Sequence, residues 1–320
     1  MPGPRTRALL SCLLALALAE WGLREVERRL APTGGLPVGR PLYVALGTSR
    51  TQRGVVPEVV EAALARAGVR DPWVANVSQN GTTHIGLLQL YMQDIHPRMD
   101  GSLDPRVLAI EVRSAGLNDR VQATAREERF LSRNRLDVAP GQGGPRLDPE
   151  AWATGLLGHL ALARAAEIRA RWQAPARFST EDWQEGHRGW EPWEGTRPED
   201  LRREAWAKRY RGQLLADLEV GGVQLAALRR LVRRARDDGW TVVLVRAPVT
   251  EVHRGFWEPA DRVLVDAALR RVTEEEGLTL LDYEADHGVP EEEFWDTHHL
   301  ATPGARRFSR TLGAALARLP

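Results

Sequence analysis

Five short apolar runs, each followed by a helical pattern, constrain this chain more than any other feature. The runs are residues 42–46, 73–77 ("WVANV"), 106–112 ("RVLAIEV"), 240–247 ("WTVVLVRA") and 278–282 ("LTLLD"). Helical patterns fall at 57–67, 84–95, 222–236, 259–275 and 303–318. In the 222–236 segment Leu225, Leu228, Leu231 and Val232 share one face and the arginines take the other. Apolar strands alternating with amphipathic helices predict a parallel sheet with helices on both faces. The expected fold class is α/β: a flavodoxin-like three-layer sandwich around a five-stranded parallel sheet.

Composition narrows the function. The chain has 320 residues and 43% hydrophobic content, ample for one sizeable core. Its 44 basic residues are matched by 43 acidic ones, which leaves no basic excess to neutralise phosphates, so no nucleic-acid partner is expected. The single cysteine, Cys12, excludes an intramolecular disulfide framework and a cysteine-built zinc site.

Cys12 lies in "MPGPRTRALLSCLLALALAEWGL". Arg5 and Arg7 precede an apolar run from Ala8 to Ala19, the length of a signal-peptide core and short for a membrane span. "ALA" at 17–19 has the form of a cleavage site, whereas continuation through Trp21 to Leu23 would make an uncleaved anchor. A cytoplasmic amphipathic helix is the third reading. Residues 1–24 are therefore expected to be a signal peptide or N-terminal membrane anchor, and the protein exported, periplasmic or extracytoplasmic. Residues 25–40 read as a linker and 41–320 as one domain. That domain carries an insertion at about 136–215, a helix at 149–172 followed by the tryptophan-rich "DWQEGHRGWEPWEGTRPED". It is expected to cap one end of the sheet or to pad the structure.

Open parallel sheets bind ligands beyond the carboxyl ends of their strands, so the loops after the strands carry the chemistry. The first holds Ser49, the second ("SQNGTTH") Asn80 and Gly81, and the third ("RSAGLNDR") Gly116, Asn118 and Asp119. Taken singly, a serine in a turn, an Asn-Gly pair and a helix-capping Asn-Asp are ordinary. The last loop, "EEEFWDTHHLATPGARRFSRTL", says more. Asp296 precedes His299 by three residues, just ahead of the Thr302–Pro303 pair that opens the terminal helix. A carboxylate so placed can accept the ring Nδ1 proton and leave Nε2 as a base. A serine hydroxyl needs such a base to become a nucleophile.

Asp296, His298 and His299 could instead begin a zinc site, completed by Asp94, His96 or His84. No second histidine pair stands at helical spacing, so no metal and no cofactor is expected.

In order along the chain, "GTSRT", "NG", "GLND" and "DTHHLATPGARRFSRTL" resemble the four blocks of SGNH/GDSL-type hydrolases. They are most similar to the exported, membrane-attached branch related to proteins that esterify or acetylate bacterial cell-surface polymers. The resemblance spans roughly residues 40–320 without the insertion. It implies the SGNH hydrolase fold, with Ser49 as nucleophile, His299 as general base and acid, and Asp296 orienting His299. It further implies an oxyanion hole made by the Ser49 N–H, the Gly81 N–H and the Asn118 side-chain amide, with Asn80 the alternative donor in the second block. Where many members have Asp before the serine this chain has Thr48, so that brace of the loop is expected to be missing.

The activity implied is an ester hydrolase or O-acyltransferase working through an acyl-serine, on acyl groups of cell-envelope glycans. Its partners would be an acylated carbohydrate or small ester, the membrane if the N-terminal segment is uncleaved, and other envelope acylation proteins. The alternative is a non-catalytic exported domain that binds a glycan or an acyl carrier. Trp183, Trp190 and Trp193 lie in a stretch with almost no aliphatic residues, so at least one is expected to be solvent-accessible near Ser49 and to stack on sugars, Trp190 and Trp193 being the candidates.

Overall fold

The structure, a computed structural model, describes residues 39–96, 105–120, 188–193, 208, 210–215, 217–286 and 288–319. The expected signal or anchor segment, most of the linker and most of the 136–215 insertion, Trp183 included, lie outside these residues. Among the described residues no helix is long and apolar enough to cross a membrane.

Five strands form one sheet: β1 (Leu42–Gly47), β2 (Trp73–Ser78), β3 (Arg106–Glu111), β4 (Thr241–Arg246) and β5 (Thr279–Asp282). Their order is β2-β1-β3-β4-β5 and every pairing is parallel, as the strand–helix alternation predicts. Eight helical segments matter here: α1 (Ser49–Gly54), α2 (Pro57–Arg66), α3 (His84–Leu90), α4 (Val223–Asp237), α5 (Glu251–Arg254), α6 (Pro259–Glu275), α7 (Thr302–Leu316), and a single π-helical turn, Tyr91–Ile95, that extends α3.

The two faces of the sheet are covered separately because successive strand residues point to opposite sides. Leu42, Val44 and Leu46 of β1 face a core with Ile85 and Leu88 of α3, Leu225, Leu228 and Leu231 of α4, and Val265 and Leu269 of α6. Tyr43 and Ala45 face a second core with Val60 and Leu64 of α2 and Phe308, Leu312 and Leu316 of α7. These two cores make the three layers.

The order 2-1-3-4-5 reverses direction between β1 and β3, and the crevice at such a switch point lies at the carboxyl ends of those two strands. β1 ends at Gly47, two residues before Ser49. A Cβ on Gly47 would lie 1.9 Å from Thr51 Oγ1 and 2.5 Å from Glu111 Oε2, so only glycine lets the chain turn this tightly from strand into α1.

Residues 188–193, the one stretch of the tryptophan-rich sequence described, act as a strap. The Arg188 carbonyl accepts from Asn76 N of β2 at 3.0 Å, and Glu191 N donates to Gln52 O of α1 at 3.0 Å. Thr302 N, at the start of α7, donates to Trp193 O at 3.4 Å. Gly189 passes so close to β2 that a Cβ would sit 1.9 Å from Asn76 O. Residues 188–193 therefore tie together the helix that begins with Ser49, the edge strand and the last helix.

Candidate active site

Ser49 is the first residue of α1, and its capping residue is Thr48, whose hydroxyl accepts weakly from Arg50 N at 3.4 Å. The loop is held chiefly by Glu111, the last residue of β3. Oε2 of Glu111 accepts from Thr48 N (2.7 Å), Thr51 N (3.1 Å) and Thr51 Oγ1 (2.6 Å), while Oε1 accepts from Thr48 Oγ1 at 2.7 Å. Burial opposes a charge on Glu111, but Arg50, the Thr51 hydroxyl and the Thr48 N–H and hydroxyl outweigh it and hold the carboxyl below the usual carboxylate range. The expectation that Thr48 leaves the loop without a brace is corrected: Thr48 itself is one of the groups through which the Glu111 carboxylate fixes the turn.

The loop before α7 brings the remaining groups. Asp296 Oδ1 accepts the backbone N–H of both His298 and His299 at 2.8 Å, which folds residues 296–299 into a tight turn. Asp296 Oδ2 lies 2.7 Å from His299 Nδ1, and His299 Nε2 lies 2.8 Å from Ser49 Oγ. Residues 250 apart in sequence thus meet at hydrogen-bond distance. Burial works against a charge on Asp296, but the His299 ring and the two N–H groups prevail and keep it ionised below its ordinary range. An ionised carboxylate only accepts, so His299 donates from Nδ1, and in its neutral form the ring then presents an unprotonated Nε2 to the serine hydroxyl.

His298 lies beside His299, ring centres 4.0 Å apart and the planes tilted by 40°. It is buried, and that burial, with the neighbouring positive groups, pushes its proton affinity well below the ordinary histidine value. A further histidine, His253 of α5, stands 4.9 Å from His298 and 3.0 Å (Nε2) from the Arg50 guanidinium. Glu111, Arg50 and His253 are absent from the sequence-based set of site residues. The one local signal was a charged residue closing the apolar run of β3.

The second and third loops are placed as follows. Gly81 occupies an exposed turn after β2 at φ +69°. Asn118 is completely buried; its Nδ2 donates to Leu214 O at 2.9 Å, and its Oδ1 accepts from Arg120 N and Glu219 N at 3.0 and 3.1 Å. Asp119 caps the approach to α4, accepting from Gly222 N and Gln224 N at 2.6 and 2.8 Å. Asn118 thus fastens the 214–220 segment to the third loop, a structural use that its sequence position does not reveal.

The tryptophan candidates divide. Trp190 is 5% exposed, packs in the core beneath α2 and α7, and donates from Nε1 to Arg53 O at 3.1 Å. The expectation that it offers a sugar-binding face is therefore corrected: its ring anchors the strap. Trp193 is half-buried and stands beside the site, its ring 5.6 Å from His299 edge-on and stacked at 3.6 Å on half-buried Trp295. The Arg53 guanidinium lies 3.6 Å from the centre of the Trp193 ring.

Asp296, His298 and His299 do offer three ligand atoms within 4.8 Å of one another. The completing ligands named from sequence do not join them. His96 pairs with Asp238 at 2.8 Å, and Asp238 O accepts from Arg106 at the start of β3, so His96 and nearby Asp94 lie at the opposite end of the sheet. His84 gives its Nδ1 proton to Gly116 O at 2.8 Å and is lowered to about 4 by burial. Both His299 nitrogens are already engaged, by Asp296 and Ser49. This donor set fits acid–base chemistry better than metal ligation.

No protein-family model matches the chain, and no curated protein matches its sequence. Solved structures of similar chain path include a lipase/acylhydrolase from Enterococcus faecalis (14% identity, TM-score 0.41, 87% of this chain and 94% of that one). Another is a catalytic mutant of the acetylxylan esterase Axe2 from Geobacillus stearothermophilus (13% identity, TM-score 0.43, 89% and 97%). A third is an extracellular lipase from Streptomyces rimosus (12% identity, TM-score 0.37, 86% and 99%).

Proposed function

We propose that the protein is a serine-dependent ester hydrolase or O-acyltransferase of the SGNH type, acting through an acyl-Ser49 intermediate. One observation carries this reading: the unbroken Ser49 Oγ–His299 Nε2 and His299 Nδ1–Asp296 Oδ2 contacts of 2.8 and 2.7 Å. In this mechanism His299 Nε2 takes the hydroxyl proton as Ser49 Oγ attacks the ester carbonyl. Asp296 stabilises the imidazolium that forms. His299 then returns the proton to the leaving alkoxide, and water or an acceptor hydroxyl resolves the acyl-serine by the same route in reverse.

The oxyanion would be met by the Ser49 N–H, which lies in the first turn of α1 and so has no acceptor within the helix. The Gly81 N–H and the second Asn118 Nδ2 proton complete the proposed hole. Each such donor is worth roughly 10²–10³ in rate.

The proposed substrates are acyl groups on cell-envelope glycans, met outside the cytoplasm. Two features support that class: the Arg-flanked apolar segment at residues 8–19, and the half-buried Trp193–Trp295 stack beside His299. Flat apolar rings with polar edges suit sugar faces; Trp193, covered at 3.6 Å by both Trp295 and the Arg53 guanidinium, serves that purpose by supporting the Trp295 ring rather than by offering a face of its own. The test is turnover of short-chain aryl esters and of an acetylated polysaccharide, with sugar acceptors supplied to divide transfer from hydrolysis. Absence of any acyl release from either substrate by folded protein would refute the proposal.

A further inference from the structure

The loop that carries His299 is tied to the segment that carries Ser49 through α5. Thr250 caps α5, accepting from His253 N at 3.2 Å, and donates twice to Thr297 O, from N at 3.0 Å and from Oγ1 at 2.9 Å. His253, one turn on, is fully buried and spans the gap between two other pieces of chain. Its Nε2 lies 3.0 Å from the Arg50 guanidinium and its Nδ1 3.3 Å from Thr297 Oγ1. Arg50 directly follows Ser49, and Thr297 lies between Asp296 and His299.

These contacts determine the protons. A guanidinium has donors only, so His253 Nε2 must be the acceptor. A neutral imidazole then carries its proton on Nδ1 and donates it to Thr297 Oγ1. The Thr297 hydroxyl keeps its own proton to give, and His298 Nδ1 lies 3.2 Å away. Asp296 Oδ1, 3.4 Å from His298 Nδ1, already accepts two N–H groups and competes poorly for that nitrogen. A protonated His253 would turn a donor against Arg50 and break the link. Burial, followed by the Arg50 charge, holds His253 well below the ordinary histidine value, in keeping with a neutral ring.

We propose that His253 is a positioning residue: a neutral hydrogen-bonded link from Arg50 to Thr297 that holds the Asp296–His299 turn in register with Ser49. The inference rests on the reading of Ser49 as the nucleophile. Its physical basis is that misplacing reacting groups by about 1 Å costs on the order of 100-fold in rate. Thr250 fixes the backbone of Thr297, and His253 fixes its side chain relative to the nucleophile segment.

The experiment compares His253→Gln and His253→Phe in the full chain, reading kcat and KM on a short aryl ester. Glutamine can accept from Arg50 through its oxygen and donate to Thr297 through its nitrogen; phenylalanine fills the space and does neither. His253→Phe should lower kcat by roughly 100-fold with KM changed by less than about threefold, and His253→Gln should recover roughly tenfold of that loss. Equal losses in the two variants, or full activity in the Phe variant, would overturn the proposal. A second measurement does not depend on activity or on the variants folding. Long-range nitrogen–proton NMR of the wild-type histidines should show His253 neutral with its proton on Nδ1; an Nε2–H or doubly protonated ring would overturn the link. Wild-type protein that turns over no ester would instead refute the hydrolase reading, and the nitrogen spectrum would still decide whether the link exists.

Discussion

Replacing Glu111 with glutamine removes one charge from beneath the nucleophile and almost nothing else. The carboxylate accepts four hydrogen bonds, three of them on Oε2. A glutamine with its oxygen at the Oε2 position keeps those three, and its amide can donate to Thr48 Oγ1 once that hydroxyl turns away. The retained bonds become neutral–neutral, about half the strength of their charge-assisted counterparts. Buried Arg50 also loses the carboxylate whose charge it faces. Charge-assisted bonds contribute about 1.5–3 kcal/mol and neutral ones about 1 kcal/mol, so the expected loss of stability is about 2–4 kcal/mol. Because Thr48 and Thr51 flank Ser49, kcat should also fall by roughly 10- to 100-fold with KM little changed. Urea denaturation and initial rates on an aryl ester measure the two effects. A Glu111→Gln protein within about 0.5 kcal/mol of wild type and with unchanged kcat would show that the carboxylate does not brace the nucleophile turn.

His299→Ala should abolish ester turnover as completely as Ser49→Ala, since groups acting as one unit are strongly non-additive, while His298→Ala should cost much less; steady-state rates on one ester rank them. Trp190→Ala should lower stability by about 3–5 kcal/mol through the cavity left in the core. Trp193→Ala should instead raise KM for an acetylated polysaccharide more than for a small ester, and thermal melts beside kinetics separate the two. Stability should decline as pH falls from about 6.5 towards 4, because unfolded histidines bind protons there that buried His84 does not. His84 alone, lowered from 6.5 to about 4, contributes on the order of 3 kcal/mol to that total decline, and His253 and His298 act in the same direction. His84→Asn should flatten the profile measured by urea melts at several pH values.

The sheet was legible because strands buried on both faces must be apolar throughout, as Leu42–Leu46 and Val107–Ile110 are. The longer helices were legible for the complementary reason, a repeating face such as Leu225, Leu228 and Leu231. α1 and α5 were not, since six and four residues leave no room for a helical repeat, and most of α1 is polar yet buried. Asp296 and His299 could be paired from sequence because the pairing is local, three residues apart. The Glu111–Thr48 contact spans 63 residues and the His253–Arg50 contact 203, and nothing in one sequence marks such partners. Trp190 and Trp193 differ by three positions, share the same composition around them and end in opposite surroundings. Their fates depend on where the strap crosses α1, which only the fold determines.

The most direct measurement is peptide mapping by mass spectrometry of the native full-length protein after reaction with a fluorophosphonate. The expected result is a single stoichiometric adduct on Ser49, lost in Ser49→Ala and slowed at least roughly 100-fold in His299→Ala. Folded wild-type protein that forms no adduct, or labelling that persists undiminished in Ser49→Ala, would contradict the assignment of Ser49 as a nucleophile activated by His299 and Asp296.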